Sequence, residues 1–147
     1  MSNIGEALRR ILVAVDGRSV RDKALQQAIY LARSLGSELY VIIVRQRQPW
    51  YEVLAMDVSF PRPDIEANIE ETKHQALRLA AESGVALSSI VVAKGRPAAE
   101  IVRHSKKLGC DLTVVGQRTR SLKRLRTSHT VREVVSRSPC PVLVVPV

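Results

Sequence analysis

Ile11-Leu12-Val13-Ala14-Val15-Asp16-Gly17 is the stretch that decides how this chain is read. Five consecutive apolar residues leave no polar alternation, so the segment suits a strand covered on both faces. The run stops at Asp16-Gly17, and a helical pattern follows. Ser19 with Asp22 resembles a capping box with Asp in place of Glu. Val20, Ala24, Ala28, Leu31, Ala32 and Leu35 then fall on one helical face, and Gly36 is a good C-terminal stop.

Outward from that opening the same alternation repeats. Leu39-Tyr40-Val41-Ile42-Ile43-Val44 reads as a second strand. Asp64 is placed to cap a second helix whose inward face is Ile65, Ile69, Thr72, Ala76, Leu79 and Ala80. Residues 88–94, with Ile90-Val91-Val92, form a third strand. Gly95-Arg96-Pro97 is a tight connection that sets Pro97 at the first helical position, where a missing N–H costs nothing. The helix that follows buries Ala98, Ile101, Val102, Ser105 and Leu108 and ends at Gly109. Asp111-Leu112-Thr113-Val114-Val115-Gly116 is the fourth strand. Residues 128–136 read as a short helix with Val131, Val134 and Val135 inward, stopped by Pro139-Cys140-Pro141. Val142-Leu143-Val144-Val145 closes the chain.

Strict β-α alternation predicts one α/β domain over residues 1–147: a doubly wound, five-stranded parallel sheet with helices on both faces. Such sheets bind ligands beyond the carboxyl ends of their strands, where the strand order reverses. That rule gathers Asp16-Gly17, the end of the second strand near Val44, and the loop after Gly116 around one crevice.

Composition narrows the class. The chain has 147 residues, of which 46% are hydrophobic, enough for a real core and too many for disorder. No stretch approaches the roughly 18 apolar residues of a membrane span. The residues ahead of the first strand hold no apolar run, so no leader is expected and a cytoplasmic location follows as the default. The net charge is +9. Residues 1–93 carry 11 basic and 11 acidic side chains, whereas residues 94–147 carry 12 and 3, so the whole excess lies in the C-terminal third. Its densest run is Arg118, Arg120, Lys123, Arg124 and Arg126. This run reads either as an anion site or as a solvated loop. Residues 46–63 break the pattern with Pro49, Pro61 and Pro63 and hold Trp50, Tyr51 and Phe60. A loop of that length is a candidate surface for a protein partner, or an insertion over the sheet edge.

Cys110 and Cys140 have neither a metal-ligand spacing nor a Cys-x-x-Cys pairing, and both fall near the amino ends of neighbouring strands. In a reducing compartment they are expected to be free thiols, with a bridge between them geometrically thinkable as the rarer alternative. His74 and His104 fall on the outer sides of helices and are expected to be solvated. No nucleophile elbow, complete phosphate-binding loop or metal cluster is visible, so the chain is not expected to be an enzyme, beyond slow ATP hydrolysis at most.

Four blocks of this sequence resemble the universal stress protein family. They are the opening strand to Gly17, Gly95-Arg96-Pro97-Ala98-Ala99-Glu100-Ile101, Asp111 to Gly116 with Gln117-Arg118, and Pro139-Cys140-Pro141-Val142-Leu143-Val144-Val145-Pro146. They occur in the family's order; the segment 46–63 has no match. The resemblance implies a fold like that of the adenine nucleotide alpha hydrolases, and a homodimer that pairs the last strands, here Val142 to Val145. An open apolar edge strand invites such pairing. It also implies ATP binding in many members and none in others.

ATP-binding members share a loop of Gly, two residues, Gly, nine residues, Gly, then Ser or Thr. Against that pattern this chain keeps Gly116. Thr119 stands at the second glycine, Ser128 at the third and His129 at the hydroxyl position, with one residue fewer between Thr119 and Ser128. A side chain at Thr119 crowds phosphates and resists positive φ. In the other direction, Ser128 is a good N-cap with free backbone donors behind it at His129 and Thr130, and Arg118, Arg120 and Lys123 supply charge. Asp16 and Val44 match family positions around the ribose and base. The resulting expectation is a nucleotide-type pocket formed by Asp16, Gly17, Val44, Gly116, Arg118, Thr119, Ser128, His129 and Thr130, with binding of ATP or another adenine nucleotide weakened, altered or lost. The alternative is a member that acts through protein partners. Nucleic-acid binding by the basic run is the weakest reading, because the aromatic residues do not interleave with the basic ones.

Overall fold

The computed structural model describes residues 8–15, 22–46, 63–117 and 129–146. In chain order the elements are β1 (Arg10–Val15), α1 (Lys23–Leu35), β2 (Glu38–Gln46), α2 (Pro63–Glu82), β3 (Leu87–Gly95), α3 (Pro97–Leu108), β4 (Leu112–Gln117), α4 (His129–Arg137) and β5 (Val142–Pro146). The five strands form one sheet in the order β3-β2-β1-β4-β5, and every neighbouring pair is parallel.

Period-2 alternation splits the strand side chains between two cores. Ile11, Val13, Val15, Leu39, Val41, Ile43, Leu112 and Val114 meet α1 and α2 through Ala24, Leu25, Ala28, Ile29, Ala32, Ile69, Ala76 and Ala80. On the other face Leu12, Ile42, Ala93 and Val115 meet α3 and α4 through Ala98, Ile101, Val131 and Val134. The absence of polar alternation in β1 follows directly: its residues are needed apolar on both sides.

Several local expectations change. Asp22 is itself the N-cap of α1, in an extended conformation; its carboxylate accepts the Leu25 N–H at 3.1 Å. Ser19, the other member of the expected capping box, lies outside the described residues. Asp64 is not a cap, because α2 already begins at Pro63. The inner face of α1 runs through Leu25 and Ile29, while Leu35, in the last turn, is 41% exposed. In α4, Val131 and Val134 are buried but Val135 lies 53% exposed, because only one narrow stripe of this nine-residue helix meets the sheet. His74 is exposed as expected, whereas His104 is buried. Its Nδ1–H donates to the Glu100 carbonyl at 2.9 Å, which satisfies the ring inside the helix's own turn. Gly36 and Gly109 end α1 and α3 with φ of 65° and 63°, a conformation that only glycine takes cheaply.

The amino end of the sheet is tied tightly. The Asp111 carboxylate accepts the Arg9 and Arg10 N–H groups, each at 3.0 Å, while the Asp111 N–H donates to the Arg10 carbonyl at 2.8 Å. The Arg10 guanidinium donates to the Leu108 carbonyl at 3.0 Å and pairs with Glu38 at 3.3 Å. Among the described residues, no helix is long and apolar enough to cross a membrane.

Candidate functional site

The strand order reverses between β1 and β4, the two strands that run on to α1 on one face and to α4 on the other. Ala14 pairs with Val115, so β1 ends at Val15 beside Gly116. Val15 also pairs with Ile43, which sets Val44 one step beyond, at the level where the chain leaves β1. The carboxyl ends of β1, β2 and β4 thus converge on one edge of the sheet, as expected from the strand order. Val44 is half-buried, with its side chain on the α3–α4 face. Gly116 is a strand residue, paired with Val145.

His129 and Thr130 are the first two residues of α4. His129 is exposed and Thr130 half-buried. Their backbone N–H groups belong to the first turn, where no intrahelical acceptor exists, and the helix dipole there favours an anion. The first turn of α4 carries no acidic residue to occupy that position. Asp16, Gly17, Arg118, Thr119 and Ser128 lie outside the described residues, as do residues 47–62 and the basic run 118–126.

An open depression of about 460 Å³ lies to one side, between α4 and the edge strand β5, lined by Gln117, Val131, Arg132, Val135, Ser136 and Val144. Only Gln117 among these borders the switch point, so the volume is a neighbour of the crevice and not the crevice itself.

Charged side chains bridge the two helices on this face. Glu133 of α4 holds the Arg96 guanidinium at 3.2 Å and Arg137 at 3.2 Å. Glu100, in the first turn of α3, pairs with Arg103 at 2.7 Å. The Arg103 hydrogen bond holds the Glu100 carboxyl below its ordinary range, against an opposing effect of burial. Among the described residues no group of three or more His, Cys, Asp or Glu is arranged to hold a metal ion.

The family model of the universal stress protein family matches residues 7–146. The chain belongs to the universal stress protein family. Universal stress protein YxiE of Bacillus subtilis (strain 168) is 36% identical over 145 residues, covering 92% of this chain and 97% of that protein. Among solved structures, universal stress protein UspA from Lactobacillus plantarum superposes with a TM-score of 0.74 at 23% identity, over 94% of this chain and 97% of that one. A universal stress protein from Archaeoglobus fulgidus, solved in complex with dAMP, has a TM-score of 0.66 at 21% identity, over 92% and 96%. These likenesses agree with the parallel five-stranded sheet of this universal stress protein.

What the sequence did not disclose are the contacts made across long separations. The Asp111 ties to Arg9 and Arg10 span about a hundred residues, and Arg96–Glu133 spans 37. By contrast, Glu100–Arg103 and Glu133–Arg137 are readable as i,i+3 and i,i+4 pairs.

Proposed function

We propose that this universal stress protein is a cytoplasmic, stress-responsive homodimer that binds an adenine nucleotide at the carboxyl ends of β1 and β4 and does not turn it over. The observation that carries the reading is the convergence of Val15, Val44 and Gly116 at the switch point of a parallel sheet. The acid-free first turn of α4 supports it, since a phosphate favours that position. A relative with the same fold was solved with dAMP.

The base and ribose side of this pocket, around Asp16 and Val44, keeps the family's residue types. The phosphate side departs from them at Thr119, Ser128 and His129. Binding of the triphosphate is therefore the part that is weakened or altered. Dimerisation runs through β5, whose Val142 to Val145 are half-buried and which, among the described strands, stands at the edge of the sheet beside β4 alone.

Isothermal titration with ATP, ADP, AMP and a cyclic adenine nucleotide tests the reading. The expected result is saturable heat, with AMP bound at least as tightly as ATP because the altered positions lie on the distal phosphates. No heat and no competition from any of the four would overturn it. That outcome would favour a member acting through protein partners at the segment 46–63.

A further inference from the structure

β4 and β5 start side by side at the amino end of the sheet, and each is preceded two residues earlier by a cysteine, Cys110 and Cys140. Thr113 pairs with Val142, and the Thr113 N–H donates to the Pro141 carbonyl at 3.0 Å, so the ladder continues back past the start of β5. The chain bends at Asp111 and again at Pro139 and Cys140, so the strand register stops short of both cysteines; what brings them together is the end of α3.

Ser105 touches both residues. Its carbonyl accepts the Cys110 N–H at 3.0 Å, and its hydroxyl lies 3.4 Å from the Cys140 sulfur. The Thr113 and Ser138 hydroxyls approach the same sulfur at 3.4 and 3.6 Å. Of these, the Ser105 hydroxyl is the one placed to donate to the sulfur, because the Ser138 hydroxyl donates to the Cys140 carbonyl at 2.8 Å and the Thr113 hydroxyl to the Ser105 oxygen at 3.2 Å. The two thiols differ in kind. Cys140 is half-buried, whereas Cys110 is buried at 7% exposure. Burial pushes the Cys110 thiol up to about 11, with the adjacent Cys140 the next cause.

We propose that Cys110 and Cys140 are a redox pair that closes to an intramolecular disulfide when the protein meets a peroxide, stapling β4 to the edge strand β5. The Cys140 thiolate attacks the peroxide; an S–O bond forms, the O–O bond breaks, and one water leaves after proton transfer. The Cys110 thiol then gives up its proton and attacks the sulfenic sulfur. The S–S bond forms, the S–O bond breaks, and a second water leaves. Two thiols lose two electrons and one hydrogen peroxide gains them. Cys140 reacts first because it is the less buried residue of the two and has the Ser105 hydroxyl beside its sulfur; Cys110 resolves it. The ring encloses β4, α4 and the chain between them, so closure constrains that whole segment.

The test treats the full-length protein with hydrogen peroxide, denatures it, alkylates the free thiols and weighs the product. The expected product is a monomer lighter by two hydrogens with both cysteines unalkylated, a Cys110–Cys140 linked peptide, and reversal by dithiothreitol. The thermal midpoint should rise on oxidation by roughly 5–10 °C. C110S should stop at singly oxidised Cys140 and show no such rise, and C140S should leave Cys110 reduced at the same dose. Full alkylation of both cysteines after peroxide overturns the proposal, as does a bridge formed only between two chains. The wild-type mass result stands without the variants, and no part of the test depends on nucleotide binding.

Discussion

The two ends of the sheet are built differently. At the amino end, backbone groups and a single carboxylate lock the strands together: Asp111 takes the N–H groups of Arg9 and Arg10, Glu38 donates its own N–H to the Arg9 carbonyl at 2.7 Å, and the Ser37 hydroxyl donates to the Leu8 carbonyl. At the carboxyl end, the described tie is an ion pair between side chains, Arg96 with Glu133, and the arginine is mostly exposed. Short fixed bonds at one end and a solvated pair at the other divide the labour: the first end holds the fold, and the second carries the start of α4, where the proposed nucleotide would meet the helix.

Substitutions can break or sharpen that contrast. Ile42→Ala, at the fully buried centre of β2, should weaken both ends alike, lowering unfolding stability by about 3–4 kcal/mol in urea denaturation. Asp111→Ala should cost about 2 kcal/mol, because two backbone donors lose a charged acceptor, while leaving any nucleotide affinity unchanged. A loss of affinity comparable to the loss of stability would show that the ends are not independent. Asp22→Ala removes the N-cap of α1 and should cost about 1 kcal/mol by the same measurement.

Smaller effects belong to the ion pairs. Arg96→Ala should change stability by less than about 0.5 kcal/mol, since this guanidinium is 72% exposed and its pairing is screened. A cost as large as that of Asp111→Ala would cancel the distinction drawn between the two ends. The smallest effect is one of pH. Arg103 first of all holds the Glu100 carboxyl below its ordinary value of 4.5. A carboxylate with a lowered folded-state pKa stabilises fully above its unfolded value, and that contribution is lost as pH falls through the folded one. Glu100→Gln should therefore flatten the fall in stability below about pH 4.5 slightly, and leave stability near pH 7 only marginally reduced, as read from denaturation midpoints across pH.

The sheet itself was legible because its signals are local and mutually consistent. Unbroken apolar runs such as Ile11 to Val15 can only be strands covered twice, and Gly36, Pro97 and Gly109 punctuate the helices as their backbone chemistry requires. Parallel pairing then follows from strict alternation, and the switch point from the pairing. His104 escaped because the face of α3 is wider than its aliphatic residues suggest: α4 packs beside it, and a ring bonded to its own Glu100 carbonyl can be buried at little cost. Asp111 was assigned to a strand, although its side chain serves as an acceptor for residues about a hundred positions away. No local pattern encodes that. In the candidate site, Val44, Gly116, His129 and Thr130 are found at the expected edge, because strand ends and a helix start are fixed by element order alone.

The most direct test of the account is a map of backbone amide shifts as AMP is added to the uniformly labelled protein. The account predicts saturable changes concentrated at Val15, Val44, Gly116, His129 and Thr130, with Arg10, Asp111 and Cys140 silent. Saturable changes centred instead on the amino end, or a spectrum unmoved at millimolar nucleotide, would contradict it.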